Sequence, residues 1–187
     1  EVGADAVRAA LAAAVPGDLL LAQNETSAIA EAILAAKARG MRVALNPAPM
    51  DARVGTLPLE QVDALIVNAL EGAELLALRG AAPAASPEDA LTALHRLFPA
   101  AEVVMTLGED GAMAVDTAGT VAQTPAFRVQ AVDTTAAGDT FAGYFLAARA
   151  AGAAMAGALR LASAAAAIGV TRPGASPSVP KADEVTG

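Results

Sequence analysis

Along the chain, short apolar runs alternate with stretches of helical period, and the breakers between them are Gly, Pro, Asn, Asp and Ser. Apolar positions from Val2 to Val15 recur at helical spacing and stop at Pro16-Gly17, which predicts a first helix. Asp18–Gln23 reads as a buried parallel strand, and Asn24-Glu25-Thr26-Ser27 then opens a helix of about four turns that closes at Gly40. Met41–Leu45 is the next strand, broken by Asn46-Pro47-Ala48-Pro49, and Ala64–Val67 a third, entering Asn68. Glu71–Arg79 is a short helix, and Ser86-Pro87-Glu88-Asp89 starts another, with Ser as N-cap, Pro at the first helical position and acids in the first turn. Glu102–Leu107 is a fourth strand, Gly108–Gly111 a tight turn and Ala112–Asp116 its continuation. Thr120–Gln123 returns as a hairpin partner across Ala118-Gly119. Helices over Asp139–Ala150 and Ala153–Ile168 and a Pro/Ser-rich tail complete the pattern.

Strand–helix alternation at this spacing predicts a parallel sheet with helices on both faces, hence an α/β fold. No linker composition or internal repeat divides residues 1–187, so a single domain is expected. The opening, Glu-Val-Gly inside an amphipathic helical pattern, suggests the later part of something longer.

Composition narrows the function classes. The 187 residues are 55% hydrophobic, 17% charged and 3% aromatic, so Ala, Val, Leu and Ile must build the core. A net charge of -8 without any basic run argues against a nucleic-acid partner or an anionic membrane surface. There is no cysteine, which removes disulfides, thiol nucleophiles and Cys-based metal sites. Mean hydropathy is +0.48, yet Ala9–Ala14 and Ala162–Ala167 are too short or too broken to span a bilayer. A cytoplasmic protein is the expectation. Neither a G-x-x-x-x-G-K-[ST] loop nor a G-x-G-x-x-G turn after a strand is present, which weighs against the P-loop and dinucleotide classes. His95 stands alone on its helix and reads as structural.

The most informative stretch is Asp133–Phe145. Ala136, Ala137 and Gly138 leave little side-chain bulk, so backbone N–H groups can approach a ligand closely. The helix that follows directs its unpaired N–H groups and positive dipole end at the same place, with the Asp139 carboxylate beside it. Such a hole suits a transferring phosphoryl group, and such a carboxylate can take a proton from an attacking hydroxyl. A Gly-Asp-Thr standing alone would more often be merely a helix cap. Here the whole string Asp133-Thr134-Thr135-Ala136-Ala137-Gly138-Asp139-Thr140-Phe141 resembles the D-T-x-A/G-A-G-D-x-F signature of the ribokinase family of carbohydrate kinases. The resemblance implies that Asp139 is the catalytic base and that the Ala136, Ala137, Gly138 and Asp139 backbone holds the phosphoryl group.

Ligands of open α/β sheets bind beyond the carboxyl ends of the strands, where polar residues cluster in this sequence. The resemblance extends to them. Leu20–Glu25 is similar to the family segment whose Glu contacts the sugar, which would make Glu25 a substrate residue. Asn46-Pro47-Ala48-Pro49 is similar to the family's N-P-A-P, and Asn68-Ala69-Leu70-Glu71 to its N-x-x-E, in which the Asn touches nucleotide phosphate and the Glu organises Mg²⁺ through water. Thr106-Leu107-Gly108-Glu109-Asp110-Gly111 resembles the T-L-G-x-x-G turn beside the ATP phosphates, and Ser163 falls where the family has an adenine-side contact. The loop after Ile168 resembles ribokinases more closely than other members. It implies a K⁺ site from Asp133, Thr135, Gly169, Arg172, Gly174 and Ser178, mostly through backbone carbonyls.

Altogether the resemblance implies a three-layer αβα sandwich with a largely parallel sheet, lacking the N-terminal strands, the Gly-Gly sugar motif and the small β lid. The implied activity is ATP-dependent phosphorylation of a sugar hydroxyl, foremost the 5-hydroxyl of D-ribose, with Mg²⁺ and K⁺ as cofactors. A related sugar or nucleoside kinase, or a truncated, non-catalytic nucleotide-binding module, are the rival readings. For a full-length parent, the resemblance leaves room for a homodimer formed through the lid.

Overall fold

The protein is described by a computed structural model covering residues 2–186. It packs as two compact units that interleave in sequence: residues up to Met105 with Val115–Thr120, and Thr106–Ala114 with the residues from Val121 onward.

In the first unit, strands β1 (Leu19–Gln23), β2 (Arg42–Asn46), β3 (Ala64–Asn68) and β4 (Glu102–Thr106, its last residue in the second unit) follow one another in chain order. β1, β2 and β3 are parallel, with Gln23 opposite Asn46 and Leu45 opposite Leu65. β2 and β3 are apolar on both faces, with Val43, Ala44 and Leu45 wholly unexposed, whereas β1, expected to be buried, lies at the end of the strand order and leaves Leu21 43% exposed. Helices α1 (Ala4–Ala10) and α2 (Ile29–Ala38) pack together, as do α3 (Ala69–Leu78) and α4 (Pro87–Leu97). α2 buries Ile29, Ile33 and Ala36, one stripe at helical spacing. Gly72 lets α3 lie close: a Cβ there would stand 2.9 Å from the Met105 methyl. Asp63 ties the sheet laterally. Its carboxylate takes Lys37 Nζ at 2.8 Å and the Val43 N–H at 2.7 Å, while its carbonyl accepts the Glu102 N–H at 2.9 Å.

Two helices depart from the expected limits. α1 ends at Ala10 rather than Val15, because the Arg39 guanidinium takes the Ala12 and Ala14 carbonyls and the Val15 N–H turns to the Asp18 carboxylate. α2 starts at Ile29 rather than at Asn24. Asn24 is buried, and both its backbone N–H and its side-chain amide donate to the loop after β2, at Ala48 O and Pro49 O.

The second unit holds β5 (Ala112–Val115, its last residue in the first unit) beside β6 (Val121–Thr124), and the helices α5 (Ala137–Ala150) and α6 (Met155–Val170) packed on each other. Phe141 and Phe145 stack along α5 with centroids 6.3 Å apart. The tail is more ordered than its composition suggested. A short helix, α7 (Ala182–Thr186), packs against α6, with Arg172 paired to Glu184 and the Tyr144 hydroxyl donating to Pro180 O at 2.7 Å. Arg172 holds the Glu184 carboxyl below its ordinary range. Among the described residues, no helix is long and apolar enough to cross a membrane.

Candidate active site

The turn that leads into α5 is built around a backbone conformation that alanine rarely takes. Ala136, the N-cap, sits in the left-handed region at φ 60°, the only non-glycine among the described residues to do so. That conformation costs roughly 1–2 kcal/mol, which the surroundings must offset. The Ala137 N–H donates to Thr134 O and the Thr140 N–H to Ala136 O, closing the turn from both sides. Upstream, the Val132 and Asp133 N–H groups share Val170 O, at 2.7 and 3.1 Å. The Asp133 carboxylate takes the Thr135 N–H with one oxygen and the Gly174 N–H with the other, each at 2.9 Å. These bonds, led by those to Thr135, hold its carboxyl at about 2, well below the usual carboxylate range. No side chain caps α5, and the first amide of the helix, that of Ala137, is engaged by the Thr134 carbonyl. A Cβ on Gly138 would meet nothing within 4 Å, so no packing requirement accounts for glycine there. Asp139 is exposed in the first turn of α5.

The same unit contains a pocket of about 790 Å³, within the range of small-molecule sites. It brings together Thr106, Gly108, Glu109, Asp110 and Gly111 with Gly138 and Ser163, residues from three separate segments of the chain. Leu107 and Asp139 are not among its lining residues. The turn from Gly108 to Gly111 is closed by the Leu107 N–H donating to Gly111 O at 2.8 Å. Gly111 has φ 105°, and a Cβ there would collide with Thr124 O and come within 2.8 Å of Ala126 N. Only glycine fits. Part of the lining is a stripe of α6, Ser163, Ala166, Ala167 and Val170, at the i, i+3, i+4, i+7 spacing of one helix face. Of these, only Ser163 matches a binding position of the family in the sequence, although the helical spacing is present there, and nothing in the sequence marks Phe127 and Arg128 between β6 and α5, the latter being the only basic residue lining the pocket among those described.

The proposed monovalent-cation residues fall in one loop cluster of this unit. Besides the Asp133 bonds to Thr135 and Gly174, the Arg172 N–H donates to Gly169 O, and Gly169 lies beside Ser178 O. Ser178 is buried, its hydroxyl donating to Ala175 O. No group of three or more acidic or histidine side chains that could hold a metal occurs among the described residues. A cation here would rest on carbonyls and hydroxyls, a donor set that fits K⁺. The Thr140 hydroxyl, buried next to Gly169, has no hydrogen-bond partner, a feature the sequence did not signal.

In the first unit, the ends of β1, β2 and β3 are joined by side chains. Gln23 Nε2 donates to Asn46 Oδ1 at 3.1 Å, and Asn46 Nδ2 donates to Ile66 O at 2.9 Å and, at 3.5 Å, to Glu71 Oε2. Asn68 caps α3 in a reciprocal capping box: its Oδ1 accepts the Glu71 N–H at 2.8 Å, and Glu71 Oε2 accepts the Asn68 N–H at 2.9 Å. Glu71 Oε1 takes no hydrogen bond among the described residues. One half-exposed carboxylate with a spare oxygen fits a hydrated Mg²⁺ reached through water better than a directly ligated metal. Glu25 is exposed just beyond β1.

The family of carbohydrate kinases named for pfkB matches residues 3–182. The chain belongs to that family. Among solved structures it is similar to ribokinase from Cryptococcus neoformans var. grubii serotype A in complex with ADP, at 30% identity and TM-score 0.80, covering 89% of this chain and 59% of that one. It is also similar to ribokinase from Thermotoga maritima, at 34% identity and TM-score 0.74, covering 90% and 55%. Ribokinase from Arabidopsis thaliana complexed with ribose and ATP matches at 28% identity and TM-score 0.76, covering 89% and 54%. This pfkB-family chain therefore spans between 54% and 59% of the length of these three relatives. It shares their three-layer α/β fold with a largely parallel sheet.

Proposed function

We propose that this chain is the nucleotide-binding and catalytic-base portion of a ribokinase-like kinase that phosphorylates a sugar hydroxyl with ATP, D-ribose to D-ribose 5-phosphate being the first choice. The observation that carries this reading is the turn at Ala136–Asp139, uncapped and left-handed at Ala136, in the same unit as a nucleotide-sized pocket. Asp139 takes the proton of the attacking hydroxyl, and the Ala136–Asp139 amides stabilise charge on the transferring phosphoryl group. Thr106–Gly111, Gly138, Asp139 and Ser163 serve ATP, Asn68 its phosphate, and Glu71 a hydrated Mg²⁺. Glu25 serves the sugar. K⁺ in the Asp133–Ser178 cluster orders the turn. The acidic chain acts in the cytoplasm on small molecules, without a nucleic acid or membrane partner.

The test is ADP release by the purified chain with ATP, Mg²⁺, K⁺ and D-ribose. Asp139→Asn should reduce ribose-dependent turnover by about 10²–10⁴-fold. The incomplete coverage of the relatives favours a second reading, a nucleotide-binding module without turnover of its own. ATP raising the melting temperature, with no ADP formed, would select it.

A further inference from the structure

The side chains at the strand ends of the first unit form a directed chain whose sense is fixed. Were the Asn46 amide reversed, its oxygen would face Ile66 O and Glu71 Oε2, two acceptors, and its NH₂ would face the Gln23 NH₂. Only one orientation satisfies all four groups. Gln23 and Asn46 are the last residues of paired strands and lie opposite each other in register, so the sheet itself holds the amides together. Pro47 then favours an extended backbone for Asn46.

The chain ends on Glu71. A carboxylate held by the capping bond alone is fixed at one oxygen and can pivot about it. The second donor, Asn46 Nδ2, meets the same Oε2 and leaves Oε1 as the oxygen without a bond. We propose that Asn46 is a positioning residue that acts through Glu71, keeping Oε2 engaged so that Oε1 is the oxygen presented to the water shell of a nucleotide-bound divalent cation, with Gln23 fixing the sense of the Asn46 amide. This rests on the Glu71 role proposed above.

The test measures ATP affinity of the whole chain calorimetrically, in EDTA and with Mn²⁺ as the probe cation, and follows bound Mn²⁺ by water-proton relaxation. Glu71→Gln should abolish most of the gain in affinity that Mn²⁺ confers. Asn46→Ala should reduce that gain by about tenfold, the low end of the effect of residues that orient a metal's ligands, and leave metal-free affinity within about twofold. Added to Glu71→Gln, it should change nothing further. Gln23→Ala should act in the same direction with a smaller loss, and it carries the test if Asn46→Ala does not fold. Equal losses with and without Mn²⁺, or an Asn46→Ala effect undiminished in the Glu71→Gln background, would overturn the positioning role. If Glu71→Gln leaves the Mn²⁺ gain intact, the Glu71 role itself fails and that of Asn46 falls with it. Absence of any ATP binding by the unaltered chain overturns both at the outset.

Discussion

The strand ends of the first unit and the head of α5 in the second solve the same problem in opposite ways. Around Asn46, polar side chains lock one another, and truncating one takes a hydrogen bond from its neighbour. Around Ala136 and Gly111 the work falls to the backbone, with alanine and glycine chosen for what they lack. The first arrangement is therefore vulnerable to truncation of a side chain, and the second to addition of one.

The largest effect that would test this contrast comes from adding a single methyl group. Gly111→Ala should destabilise the protein by more than about 3 kcal/mol, since both φ and the Thr124 carbonyl forbid a Cβ there. In Gly138→Ala, by contrast, the methyl meets no protein atom, so stability should hold or rise by about 0.5–1 kcal/mol. Nucleotide affinity should nevertheless fall. Urea denaturation with ATP titration reads both, and a stability loss in Gly138→Ala would break the contrast. Next in size, Asn68→Ala removes the side-chain half of the capping box and should cost about 1 kcal/mol in the same denaturation assay. The smallest effect is local. Because the folded protein lowers the Asp133 carboxyl to about 2, its contribution is complete above the ordinary carboxylate value of 3.8 and is lost as pH falls through about 2. The Thr135 and Gly174 amide resonances should report that loss together, and independent titration of the two would separate the bonds.

The alternation of elements was legible because buried parallel strands and one-sided helices leave strong periodic patterns, and the Ser86 cap and Gly40 stop were local signals. The early end of α1 was not, because Arg39 reaches the Ala12 and Ala14 carbonyls that follow it from far along the chain. The left-handed Ala136 carries no residue signature, unlike a glycine in the same place. The polar chain through Asn46 depends on strand register, which fixes which amides meet, and register is invisible in a string of residues. The wall of α6 was legible in principle, but an alanine-rich helix shows little contrast between its faces.

The interleaving of the two units bears on how such a protein can be inherited. The polypeptide leaves the first unit at Thr106, returns for Val115–Thr120 and leaves again. Neither unit corresponds to one uninterrupted stretch of gene, so neither can be duplicated, swapped or donated to another protein by a single recombination event.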